Sequence, residues 1–135
     1  MVSFEHLCFI KNVTIFTTVA SNITTPMEGQ QFNITEGTDG SITCTATGYP
    51  VPTVVWQNSD GSSLSNNRLV SGNLVNISST GVGNVSSVSV ELMVIGAVRV
   101  DSGMYRCSAN NSVSSTTRNI TITVQCKYMQ CMYMM

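Results

Sequence analysis

The sequence predicts an all-β fold, an antiparallel sandwich or barrel, on three observations. Apolar residues recur at every second position in several short windows, turn-forming clusters separate those windows, and no stretch sustains helical spacing. With 135 residues the chain has room for one domain, able to bury roughly two thirds of its unfolded surface.

In "SITCTAT" the residues Ile42, Cys44 and Ala46 fall on one side and Thr43, Thr45 and Thr47 on the other, the pattern of a half-buried strand. "TVVWQ" puts Val54 and Trp56 on one face, "SVSVELMV" does so with Val88, Val90, Leu92 and Val94, and "NITITV" with Ile120, Ile122 and Val124. Gly48 to Pro52, "SDGSS", "SGN", "STGVGN" and "ANNS" supply the turns between them. Cys44 and Cys107 sit at the centres of "SITCTAT" and "MYRCSA", each on the inward side. Trp56 follows Cys44 by twelve residues, a spacing at which a neighbouring strand brings an indole beside the sulfur.

Cys44, Trp56 and "DSGMYRC" (residues 101 to 107), in that order, resemble the immunoglobulin superfamily over about residues 26 to 125. The resemblance implies an immunoglobulin-like two-sheet antiparallel β-sandwich with Greek-key topology. It implies a sheet-bridging disulfide between Cys44 and Cys107 with Trp56 packed on it, and places Leu92 in the core. The hydroxyl of Tyr105 is expected to return to the backbone a few residues upstream. Asp101 is expected to pair with an arginine near the start of the strand the family letters D. Arg68 is the candidate, a solvated loop cation being the other reading.

"GYPVPTVVW" and "CSANN" look like the intermediate (I) set of adhesion and receptor ectodomains. The separation of Cys44 from Cys107 is longer than that set leads one to expect. The surplus between Gln57 and Ser87 is expected to hold either an additional strand or an extended strand-and-turn region, and a variable-type domain is the alternative.

Composition narrows the function. Charged residues make up 10% of the chain and the net charge is −1, so no basic stripe exists to track phosphates and nucleic acid is not an expected partner. The five cysteines form no CxxC pair and His6 is the only histidine, which leaves a zinc site unsupported. Nucleophilic catalysis needs an orienting base, and the seven acids are scattered. Neither an enzyme, a cofactor nor a small-molecule substrate is expected.

Seven Asn-x-Ser/Thr sequons begin at Asn12, Asn22, Asn33, Asn76, Asn84, Asn110 and Asn119. Twelve asparagines in a chain about one quarter Ser and Thr would give roughly three by chance. The excess points to the secretory route, where a disulfide also persists. No run approaches the eighteen or so apolar residues of a membrane span.

Residues 1–25 are expected to form an N-terminal segment, partly first strand or poorly ordered. Lys11 and Asn12 interrupt what a signal peptide needs as a continuous apolar stretch. The tail 126–135 offers soft sulfur ligands of a sort that take Cu(I); it is read instead as an unstructured end. Both ends suggest a fragment of a larger protein. Cys8, Cys126 and Cys131 remain after the core bridge, and the sequence does not choose how they pair.

The resemblance implies an extracellular or secreted module that binds another protein, a second copy of itself included. Alternation aims Val55, Gln57, Arg106, Ser108, Thr121 and Thr123 outward on one sheet, where Val55, Gln57 and Arg106 are the candidate contacts. A structural spacer in a tandem immunoglobulin array, in extracellular matrix or muscle, is the alternative function.

Overall fold

The computed structural model describes residues 18–79 and 85–127, with only the backbone for 73–79. Asn12, Cys8, Asn84 and Cys131 lie outside the described residues. The described residues form eight strands: β1 Val19–Thr25, β2 Gln30–Thr35, β3 Gly40–Tyr49, β4 Thr53–Asn58, β5 Leu69–Ser79, β6 Ser86–Val94, β7 Gly103–Asn110 and β8 Ser115–Gln125. A 3₁₀ turn, Arg99–Asp101, precedes β7.

The strands form two four-stranded sheets, ordered β1-β3-β6-β5 and β2-β8-β7-β4. The chain crosses between them after β1, β2, β3, β4 and β6, so neighbours in sequence are mostly not neighbours in a sheet. The sandwich is antiparallel apart from one pair: β2 runs parallel to β8, from Gln30 opposite Ile120 to Thr35 opposite Gln125. This pairing arises because the chain leaves the first sheet at Pro26 and joins the edge of the second within a few residues.

The surplus after Trp56 went into strand length. β5 spans eleven residues and forms a long hairpin with β6, and the segment that joins β4 to β5 carries an isolated bridge from Ser63 back to Gln57. "SGN", expected to be a turn, lies inside β5. The register slips between Ser71 and Leu74 and again between Leu74 and Asn76. Gly72 explains how the chain continues: a Cβ there would sit 3.1 Å from the Glu91 carbonyl oxygen. A glycine in a strand thus marks a bulge with close backbone approach and not a stop.

Alternation explains the core. β6 buries Ser86, Val88, Val90, Leu92 and Val94 in strict period two, and β3 answers with Ile42, Cys44 and Ala46. From the second sheet come Val54, Trp56, Tyr105, Cys107, Ala109, Ile120, Ile122 and Val124, all buried. The edge strands contribute less: Ile23 from β1 and Ile34 from β2, with Phe32 and Leu64 packed partly against the cluster. Two inward faces meeting in this way are what an aligned sandwich requires.

A covalent and a polar link cross the core side by side. Cys44 and Cys107 are bonded, with Cα atoms 6.5 Å apart, and both are fully buried. Trp56 is registered opposite Cys107 within its own sheet, and its indole N–H donates across the sandwich to the Val90 carbonyl at 3.0 Å. Val90 is in turn registered opposite Cys44.

The bridge closes a loop of sequence separation 63, and in the chain-entropy model such a loop contributes about 4 kcal/mol. That is comparable with the net stability of a small domain. Replacing both cysteines, Cys44→Ala with Cys107→Ala, is expected to lower the thermal midpoint by more than about 10 °C. A calorimetric midpoint unchanged by the double substitution would contradict this.

Candidate binding surface

Below the disulfide the chain makes its tightest corner. The Tyr105 hydroxyl donates to the Asp101 carbonyl at 2.7 Å, tying the start of β7 to the 3₁₀ turn before it. The Asp101 carboxylate is fully buried and every direction around it is filled by donors. Arg68, immediately before β5, reaches it through Nε at 3.2 Å and Nη2 at 2.9 Å. The Val98 N–H donates at 2.9 Å and the Asn66 amide at 2.8 Å.

Burial alone would raise the Asp101 pKa. The Arg68 guanidinium, the Val98 N–H and the Asn66 amide outweigh it and hold the carboxyl below its usual range. Burial pushes the Tyr105 phenol up, and the Asp101 charge adds to this, so the hydroxyl stays a donor. The site is a pinned corner, with its carboxylate and phenol both committed to the scaffold.

The outer face of β4, β7 and β8 carries the residues that alternation aims outward. Val55, Gln57, Arg106 and Thr121 are half-buried there and Thr123 is exposed. Met104, in step with Arg106 along β7, is 55% exposed. Ser108 departs from the expected outward exposure, because it is buried. Its short side chain lies on a central strand between Val55 of β4 and Thr117 of β8, and the Asn110 amide approaches its hydroxyl at 3.5 Å.

Arg106 is not freely presented. The turn after β4 leans over it, and a Cβ on Gly61 would collide with its guanidinium. Gly61 has φ of +90°, so the position favours glycine twice over, by conformation and by space. The Arg106 Nε is buried without a hydrogen-bond partner among the described residues. Beside it the Asp60 carboxyl is held below its usual range, mainly by the Ser62 hydroxyl and N–H and to a smaller degree by the Arg106 charge.

An open groove of about 590 Å³ lies between β4 and the start of β5, lined by residues that include Val55, Gln57, Leu64 and Val70. None of its described lining residues is an acid or a base. No group of three or more potential metal ligands occurs among the described residues, and no helix among them is long and apolar enough to cross a membrane.

The sequons divide by environment. Asn22 on β1 and Asn33 on β2 are exposed, and so is Asn110 at the end of β7. Asn76 lies on β5, where only the backbone is described. Asn119 differs: it is half-buried, its backbone N–H donates to Glu28 Oε2 at 3.0 Å, and its side-chain amide donates to Glu28 Oε1 at 3.1 Å. Its carbonyl accepts the Gly29 N–H at 2.8 Å.

Three polar residues escaped the sequence reading. Asn66 completes the shell of Asp101, with nothing in its own neighbourhood to announce a partner 35 residues away. Glu28 holds Asn119 across 91 residues. Asn111 organises the turn after β7: its Oδ1 accepts the N–H groups of Val113 and Ser114, and its amide donates to the carbonyls of Val19 and Pro50. The "ANNS" cluster carried that last signal, since asparagine bonding its own backbone two residues on is a recognised turn device.

Comparison with known proteins decides the family. The model of the immunoglobulin I-set domain matches residues 21–124. The chain belongs to the I-set family. Curated relatives include the human protein Brother of CDO, 32% identical over 97 residues (72% of this chain, 7% of the relative). Lachesin of Drosophila melanogaster is 32% identical over 91 residues, covering 67% of this chain and 21% of its own. Human Hemicentin-1 is 30% identical over 126 residues, covering 87% and 2%. The chain therefore spans only a small part of each of these relatives.

Among solved structures, a chimeric titin Z1Z2 superimposes with a TM-score of 0.60 at 20% identity, covering 82% of this chain and 99% of that one. Titin domain M7 gives 0.58 at 22% identity, covering 81% and 97%. At such identities the likeness establishes the fold.

Two outcomes follow for this I-set domain. Tyr105→Phe leaves the Asp101 carbonyl without its buried donor and is expected to cost about 1 to 2 kcal/mol in denaturant unfolding; an unchanged midpoint would refute the role given to the hydroxyl. Because the folded pKa of Asp101 is depressed, its contribution to stability is complete above the unfolded value near 3.9 and is lost as pH falls through the folded value. Arg68→Ala removes the strongest opposing influence, so its acid unfolding is expected to begin at higher pH than that of the unaltered chain, as followed by tryptophan fluorescence.

Proposed function

We propose that this I-set domain is an extracellular protein-recognition module that engages its partner through the outer face of β4, β7 and β8, with Val55, Gln57 and Arg106 at the contact. The observation that carries the reading is the make-up of this face. It combines a half-buried valine, an exposed methionine, amide and hydroxyl groups, and one half-buried arginine. Interface cores favour this mixture, with arginine and methionine enriched and lysine and acids depleted. A second copy of the chain is the first partner to test.

The abundance of sequons supports passage through the secretory route, and the buried disulfide is consistent with an oxidising compartment. Adhesion-type relatives support the same setting. The reaction we assign is binding alone, and no residue is given a catalytic role.

A spacer in a tandem array is the second reading, and one feature favours it. Val100 is 81% exposed and Ile95 48% exposed. Both lie at the pole where β8 ends, since Ala97 bonds to the Gly37–Thr38 turn and Glu36 to Gln125. Exposed apolar side chains at that pole would suit packing against a following module.

Beads coated with the full chain are expected to cluster through the β4–β7–β8 face. Val55→Asp should reduce clustering severalfold without moving the thermal midpoint. Dispersed beads at every coating density would instead favour the spacer.

A further inference from the structure

Asn119 is the described sequon that folding closes. Asn22 and Asn33 hold exposed side chains that make no hydrogen bond among the described residues. Asn110 makes only the long 3.5 Å contact to Ser108. A glycan leaving any of these three meets open solvent. Asn119 instead sits on β8 with Arg106 of β7 registered beside it, and Glu28 holds both its backbone N–H and its side-chain amide.

Asparagine-linked transfer forms a bond between Nδ2 and C1 of the first sugar. It breaks the bond from C1 to the diphosphate of a polyprenyl-linked oligosaccharide, which departs with the electron pair, and Nδ2 gives up a proton. The nitrogen must therefore be free to lose one N–H and to turn towards the donor. At Asn119 the native fold opposes both, because one amide proton is bound to a carboxylate and the backbone on either side is held. The same two contacts, the backbone N–H first, keep the Glu28 carboxyl below its usual range, so the clamp persists in mildly acidic compartments.

We propose that Asn119 is a folding-gated glycan acceptor: it is open while β8 is undocked and closed by Glu28 once the sandwich forms, so that the secreted domain carries glycans on Asn22, Asn33 and Asn110 and little on Asn119. β8 is the last of the described strands to be made, so its sequon has less time than those on β1, β2 and β7 between synthesis and closure of a fold that forms in milliseconds to seconds. The consequence deepens the proposed function and rests on its extracellular reading. A bare Asn119 leaves the middle of the binding face, around Arg106, clear of sugar.

The test is site-by-site occupancy, measured by mass spectrometry on the full chain secreted from cultured eukaryotic cells. Asn119 occupancy is expected to be severalfold below that of Asn22, Asn33 and Asn110. It should rise severalfold in Glu28→Ala, which removes the clamp at an exposed position. It should rise likewise when dithiothreitol in the culture delays the Cys44 to Cys107 bond. Occupancy at Asn119 equal to the other three, and indifferent to both treatments, would overturn the gating alone. Bare asparagines at all four sites would overturn the extracellular reading and the gating with it.

Discussion

Four residues form a closed node on which the two sheets depend. Cys44 and Val90 face each other in one sheet, Trp56 and Cys107 in the other. The disulfide joins one diagonal and the indole N–H joins Trp56 to the Val90 carbonyl. Covalent and polar links thus cross the core within one pair of registered neighbours on each side. A tryptophan brings a large apolar area but also an N–H that must be satisfied when buried, and the backbone of β6 supplies the acceptor. Slipping β3 or β7 by one residue against its neighbours would turn its sulfur to solvent and break the bridge, so the node sets register as well as separation.

From this node the rest of the scaffold is arranged outward. Tyr105 lies two residues before Cys107, and its bond to Asp101 fixes how the chain enters β7. Asp101 in turn gathers Arg68, Asn66 and Val98, tying the approach to β5 and the 3₁₀ turn into one cluster. The charge is tolerable in the core because each oxygen has donors. With the inside so constrained, variation is left to the outer faces and the loops.

Much of this was legible from the chain. β3, β4, β6, β7 and β8 announce themselves by alternation, since each buries one full face. β1 and β2 do not, because they contribute Ile23 and Ile34 and little else to the apolar core, and so few inward residues do not let a period show. The parallel pairing of β2 with β8 depends on where the chain crosses between sheets, which no local pattern encodes. The family motif carried Asp101 and Tyr105. Asn66, Glu28 and Asn111 act across long separations or through their own turns, and their residue types are common on any hydroxyl-rich surface. "SGN" misled because glycine serves both turns and bulges, and only the partner strand distinguishes them.

The double irregularity in β5 has a meaning beyond its own hairpin. β5 is an eleven-residue strand at the border of its sheet, long enough to act as a template for a stranger's backbone. Two interruptions near Gly72 upset the even spacing of its donors and acceptors, so an incoming strand can match only a few before falling out of step. The flaw in the ladder thereby guards this border against polymerisation by main chain.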